Sequence, residues 1–156
     1  AVWDAGRDQY LMALAPAFMV SADNAHAVHP NYGEFADPTN RPAMNRGIVI
    51  KYNAKPEDTT DAVSAAIFRA ICKKAGVPCQ TFANRSDMAG GSTLGNISNA
   101  HVALNTVDIG LPQLAMHSPY ETAGVKDTCY LIQAAKTFFN TCLKAEGKGC
   151  YRVDQE

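Results

Sequence analysis

Three kinds of side chain in this sequence could do chemistry together: a carboxylate at Asp23, imidazoles at His26, His29 and His117, and an ammonium at Lys51. Carboxylate and imidazole are both good zinc ligands, and either can hold or move a proton. Asp23 ends an apolar run, Ala17-Phe18-Met19-Val20, and stands in the stretch SADNAHAVHPN at 21–31. His117 follows a second such run, NTVDIG at 105–110, across the loop 111–119. No local motif joins the two, yet each follows an expected strand on its carboxyl side. Ligands bind at that edge of open α/β sheets, because the connecting loops leave the sheet there. Asp23 and His117 could therefore converge on a metal or acid–base site. Each also has a plainer reading: Asp23 as a cap on the loop backbone, His117 as a loop histidine bonded to a carbonyl.

His26 and His29 form a His-x-x-His pair, but Pro30 argues against the helix that would put both rings on one face. The glutamate of a metalloprotease His-Glu-x-x-His is absent too, so joint ligation by this pair is not expected. Gly90-Gly91-Ser92-Thr93-Leu94-Gly95 resembles a turn that aims backbone N–H groups at an anion. It lacks the Gly-Lys-Ser/Thr of a nucleotide loop. A tight turn that lets backbone approach a ligand is the stronger reading, and nucleotide binding the weaker one. Lys51 interrupts the apolar strand GIVIKYN at 47–53. Lysines are seldom buried alone, so this one faces an acidic group or lies at an exposed end.

The elements that must position these residues follow from period and punctuation. A helix is expected over 4–14, with Tyr10, Leu11 and Leu14 on one face and Pro16 beyond its end. A strand over 17–22 leads into a long polar loop, 23–46, of a length that is usually functional. After the strand at 47–53, an acidic helix start at 56–60 opens a helix with Val63, Ile67 and Ile71 at every fourth position. Gly76 and Pro78 close it. A third strand spans 78–85 with Phe82 central, and Ser92-Thr93 caps a short helix running to His101. The strand at 105–110 and a final helix from 121 or 127 to 145 complete the series. Leu131, Ala135, Phe138 and Cys142 face inward there, and Gly147 and Gly149 end it. Strands alternating with helices predict one layered α/β domain over 1–156, with a mostly parallel central sheet flanked by helices.

Composition narrows the function classes. The chain of 156 residues is long enough for one real core, and 47% hydrophobic with 19% charged residues is ordinary for a soluble globular protein. A net charge of -1 leaves no basic surplus for nucleic acid or anionic lipid. No run is long enough to span a membrane. The five cysteines contain no Cys-x-x-Cys pair, which suits reduced thiols in a cytoplasmic protein.

Four motifs in order, SADNAHAVHPNY, GIVIKYN, AGGSTLG and DIGLPQLAMHS, resemble the M18 zinc aminopeptidases, the aspartyl aminopeptidase family. The resemblance runs from about 19 to 139. It implies the C-terminal portion of a catalytic domain that carries two zinc ions and removes N-terminal residues, typically acidic ones, from peptide substrates. By motif, Asp23 resembles a ligand of one zinc and His117 a ligand of the other. Lys51 falls where the family places a lysine near the substrate's acidic side chain. Gly91 matches backbone lining the substrate pocket, and His29 matches a position at the pocket or in subunit packing. The family's remaining ligands and its catalytic glutamate lie upstream of these motifs. The resemblance therefore implies no catalytic residue here, an inactive piece of a cytoplasmic, homo-oligomeric enzyme, and no nucleic-acid or membrane partner. The alternative is a non-catalytic α/β module for assembly or partner binding.

Overall fold

The computed structural model describes residues 6–53, 59–88, 90–147 and 150–155. The expected helix start at Asp4, most of the acidic stretch at 56–60 and the terminating Gly149 lie outside the described residues. Helix α1 (Arg7–Leu14) precedes strand β1 (Phe18–Ala22) and the two-residue β2 (Ala25–His26). Strand β3 (Ile48–Tyr52), helix α2 (Ala62–Ala75) and strand β4 (Cys79–Ala83) follow, then α3 (Leu94–His101) and β5 (Asn105–Gly110). Short strands β6 (Pro112–Leu114) and β7 (Thr122–Ala123) lead into α4 (Val125–Phe139) and a closing hairpin, β8 (Thr141–Gly147) with β9 (Cys150–Gln155).

The central sheet has four strands in the order β1-β5-β3-β4. β1 runs parallel to β5, and β3 runs parallel to β4. The two pairs meet antiparallel, Ile50 opposite Ile109. The sheet is thus parallel within its pairs and mixed as a whole. The carboxyl ends of β1 and β5 share one edge, while those of β3 and β4 point the other way.

Side-chain alternation divides the faces. Ile48 and Ile50 of β3, with Val107 and Ile109 of β5, pack against Ala65, Phe68 and Cys72 of α2 and Ala134 of α4. Burying a side chain such as Phe68 contributes roughly 1.5–3 kcal/mol, and this cluster is where the core sits. The intervening positions Thr106 and Asp108 turn to the other face. There Thr106 Oγ1 donates to Asn99 of α3.

Helix α2 starts where Asp61 accepts from Ser64 N at 2.7 Å and the Ser64 hydroxyl accepts from Asp61 N at 3.0 Å. It stops at Gly76, whose φ of 67° is left-handed. Val63 of the expected α2 stripe is exposed, and the first and last helices also differ from expectation. Helix α1 buries none of its residues, and Tyr10, Leu11 and Met12 stand exposed. The last helix ends at Phe139 rather than 145, and its buried residues are Asp127 and Ala134. Asn140 and Thr141 are weak helix formers, and the Gly147-Lys148-Gly149 stretch is a hairpin signal placed between two short runs that mix apolar and charged residues. Cys142 therefore lies in β8, paired with Asp154.

Candidate functional site

Asp23 stands immediately past β1. Its backbone N–H still bonds to Ile109 O at 3.0 Å, which fixes it level with the end of β5. Its carboxylate is exposed, with Oδ1 accepting from Asn24 N at 2.9 Å. The chain can pass this close because residue 110 is glycine: a Cβ there would lie 2.0 Å from Asp23 O. Parallel bonds then continue outward, Ala25 N to Leu111 O and Ala27 N to Gln113 O, each 2.9 Å, so β2 rides beside β6. Asn24 Nδ2 donates to Gln113 Oε1 at 2.6 Å and locks the two together.

His117 sits in the tight loop after β6. Ala115 and His117 both have left-handed backbone, at φ 55° and 66°. A non-glycine residue so held costs of order 1–3 kcal/mol and persists where its surroundings enforce it. Here Ser118 N bonds to Ala115 O at 3.0 Å, and Glu121 Oε1 accepts from His117 N at 2.6 Å. The imidazole itself is exposed.

The structure brings His26, His117 and Lys51 into one electrostatic neighbourhood. The His26 imidazole is held below its ordinary value first by burial, then by repulsion from His117 and from Lys51. Its ring leans on Phe82 of β4, centroids 6.4 Å apart, and Phe82 is the register partner of Lys51. Part of the ring remains in solvent, so desolvation acts on its inner side. Lys51 is 5% exposed, an uncommon burial for an ammonium group. His29 takes other neighbours: Nδ1 accepts from Asn31 N at 3.1 Å, and the ring packs on Tyr32 at 5.0 Å. The two histidines of the His-x-x-His pair thus face different surroundings.

The Gly-rich loop meets the sheet through a buried carboxylate that the sequence did not single out. Asp108 Oδ2 accepts from Thr59 N at 2.7 Å and Thr59 Oγ1 at 2.9 Å, and Oδ1 accepts from Thr93 Oγ1 at 2.9 Å. Thr93 precedes α3 as expected, but its hydroxyl serves Asp108 instead of capping the helix. Gly95 N donates to Ser21 Oγ at 3.1 Å, and a Cβ at 95 would meet Asp108 Oδ1 at 2.7 Å. Close approach therefore requires glycine at 95. Gly91 lies in the open, where a Cβ would meet nothing within 4 Å.

A second missed acid, Asp127, fixes the far end of the long loop. Its carboxylate accepts from Asn45 N at 2.6 Å and Gly47 N at 2.9 Å. A polar residue at an inward helix position was the available signal. For Asp108 the signal was an acid at mid-strand between two apolar residues.

The donors present suit zinc in kind, a carboxylate and imidazoles. Among the described residues, no three histidine, cysteine or acidic side chains group closely enough to hold a metal ion. Asp23 and His117 are donors of the right kind, and neither belongs to such a group among the described residues.

The chain is thus a layered α/β domain with helices on both faces of its sheet and an acid and imidazoles on loops beyond it. The match to a family is specific: residues 3–139 fit the model of the aminopeptidase I zinc metalloproteases (M18), and the chain belongs to that family. A probable M18 family aminopeptidase 2 of Clostridium novyi is 51% identical over 134 residues, which is 86% of this chain and 31% of that relative. The chain thus spans about a third of the curated relative's length. Among solved structures, one of the Ape4 and Nbr1 complex superposes with a TM-score of 0.81 at 38% identity, covering 86% of this chain and 26% of that one. The S. cerevisiae mApe1 dodecamer gives 0.72 at 27% identity, covering 81% and 27%. The family match ends at 139, where α4 ends, so the β8–β9 hairpin lies beyond it.

Proposed function

We propose that this chain is the C-terminal portion of the catalytic domain of a zinc aminopeptidase that removes N-terminal residues, acidic ones by preference, from peptides. The observation that carries the reading is the buried Lys51 beside His26 and His117, within a chain whose family is zinc-dependent. Asp23 would hold one zinc and His117 the other, and bound zinc would polarise the scissile carbonyl and supply an activated water. The chain's own residues do the rest. Lys51 offers a desolvated positive charge to a substrate carboxylate, where a charge-assisted bond is stronger than in water. His26, held below its ordinary value first by burial, can accept a hydrogen bond from substrate without adding charge. Gly91 lines the pocket with backbone, and His29 with Tyr32 borders it or meets a neighbouring subunit. The dodecameric assembly of one relative supports a homo-oligomer, and the cytoplasmic setting rests on the cysteine reading alone. Because the remaining ligands and the catalytic glutamate have no counterpart in the matched motifs, the chain by itself is inactive.

The test uses the complete protein. Lys51→Met should raise KM for peptides beginning with Asp or Glu far more than for those beginning with a neutral residue. A charged hydrogen bond typically contributes roughly 1.5–3 kcal/mol, or on the order of ten- to a hundredfold. Equal losses on both substrate types would remove Lys51 from specificity. Zinc content that survives loss of both Asp23 and His117 would remove them from the metal centre.

A further inference from the structure

His117 is carried on the loop 115–121, which the β6–β7 ladder closes at its base, Leu114 opposite Thr122 and Gln113 opposite Ala123. Inside the loop, Ser118 N donates to Ala115 O at 3.0 Å, and Tyr120 N donates to Ser118 Oγ at 3.1 Å. These bonds lie to either side of the His117 N–H. That N–H goes instead to Glu121 Oε1, at 2.6 Å. The ladder and the turn at Ser118 already close the loop, so the glutamate is not needed for closure. What it fixes is residue 117. There φ is 66°, a left-handed backbone that a residue with a Cβ avoids unless its surroundings enforce it. Backbone conformation also sets where the Cα–Cβ bond points. A return of residue 117 to negative φ would re-aim the imidazole.

We propose that Glu121 is a positioning residue: its carboxylate, by accepting from the His117 amide, holds the histidine in the left-handed conformation that presents its imidazole to zinc. The proposal rests on the reading of His117 as a zinc ligand and adds what keeps that ligand in place. A carboxylate suits the task, because an ionised acceptor binds an N–H more strongly than a neutral oxygen does. Glu121 also stands directly before β7, so its own backbone is anchored by the ladder. The bond is exposed to solvent, and its loss orphans no buried group. Removing the carboxylate should therefore leave the fold and loosen the aim of one side chain. Partners that orient a metal ligand typically carry about ten- to a hundredfold in metal affinity, and an exposed one belongs at the lower end.

The test compares Glu121→Ala and Glu121→Gln, with His117→Ala as the reference. In this chain without metal, NMR-resolved exchange of the His117 amide should quicken about tenfold in Glu121→Ala. The amides of Ala25 and Ala27, bonded along β2 and β6, should keep their rates, and the urea midpoint should hold. In the complete protein, zinc affinity by chelator competition should fall about tenfold in Glu121→Ala and further in His117→Ala, and the visible spectrum of the cobalt-substituted form should shift. Glu121→Gln keeps an oxygen that can accept from the same N–H, so it should recover most of the affinity. A merely structural glutamate would move the urea midpoint and leave the cobalt spectrum unchanged. Zinc affinity unchanged in Glu121→Ala but lowered in His117→Ala would overturn the proposal and spare the reading of His117. Affinity unchanged in both would overturn that reading and the proposal with it. Glu121→Gln as weak as Glu121→Ala, or His117 exchange indifferent to either, would also overturn it, since the carboxylate would then act by its charge and not through the amide.

Discussion

The frame beneath the sheet edge and the edge itself use the same side chains differently. In the frame, Asp108 and Asp127 are both 0% exposed, and their oxygens take backbone N–H and hydroxyl donors from loops that would otherwise be loose. At the edge, Asp23 is exposed and takes a bond from its neighbour Asn24, leaving lone pairs toward solvent. A carboxylate whose lone pairs are all claimed by the fold has little left for a ligand. One held in place through its backbone keeps its side chain for chemistry. The same contrast separates His117, placed by its backbone and strained φ, from Thr93, whose hydroxyl is spent on Asp108.

If this division is right, substitutions in the frame cost stability and those at the edge do not. The largest effect is expected at Asp108→Ala, which orphans Thr59 N and the hydroxyls of Thr59 and Thr93. Unsatisfied buried donors cost about 1–3 kcal/mol each, so a loss of order 3–5 kcal/mol is expected, a large share of a small domain's stability. Asp127→Ala comes next, at about 2–4 kcal/mol, from two orphaned N–H groups. Urea unfolding of this chain measures both, and unchanged midpoints would erase the distinction. Asp23→Ala should stay within about 0.5 kcal/mol, as surface changes do. His117→Gly should hold or slightly raise the midpoint by relieving the left-handed residue. A fall of several kcal/mol in either would place the edge in the frame.

Much of the frame was legible in the sequence. The run ending at Val20, the strand at 47–53 and the helix closed by Gly76 and Pro78 formed where period and punctuation put them; of its stripe, Ile67 and Ile71 are buried while Val63 is exposed. The antiparallel junction of β3 with β5 was not legible, because strands buried on both faces read alike whichever way they run. The early end of α4 was missed because Phe138 and Cys142 keep a helical spacing across Asn140. Asp23 and His117 were singled out by position after a strand, and the structure places Asp23 directly past β1 and His117 in the loop after β6. Asp108 was passed over because a buried acid reveals its role only through partners distant in sequence, here Thr59 and Thr93. His26 was set aside by weighing it against His29, its neighbour in sequence. Its neighbours in space come from β4, β3 and the loop after β6.

The smallest effect is expected in the protonation of that edge. In the folded metal-free chain His26 should titrate below 6.5, its ordinary value, because burial, His117 and Lys51 all disfavour the charged ring. The unfolded chain then binds more protons between the two values, so stability rises with pH across that window. It is complete above 6.5, declines as pH falls toward the folded value, and levels off below it. The ring is partly exposed, so the change in unfolding midpoint is slight, and NMR titration of the imidazole protons is the sharper measurement. Lys51→Met should move the His26 titration upward, and His117→Ala should move it further, since His117 is the larger of the two repulsions. With both replaced, His26 should still titrate low, because burial beside Phe82 is the leading cause and neither substitution removes it. A His26 titration indifferent to both would mean that the three groups do not share a neighbourhood, and the edge would lose the convergence on which its proposed chemistry rests.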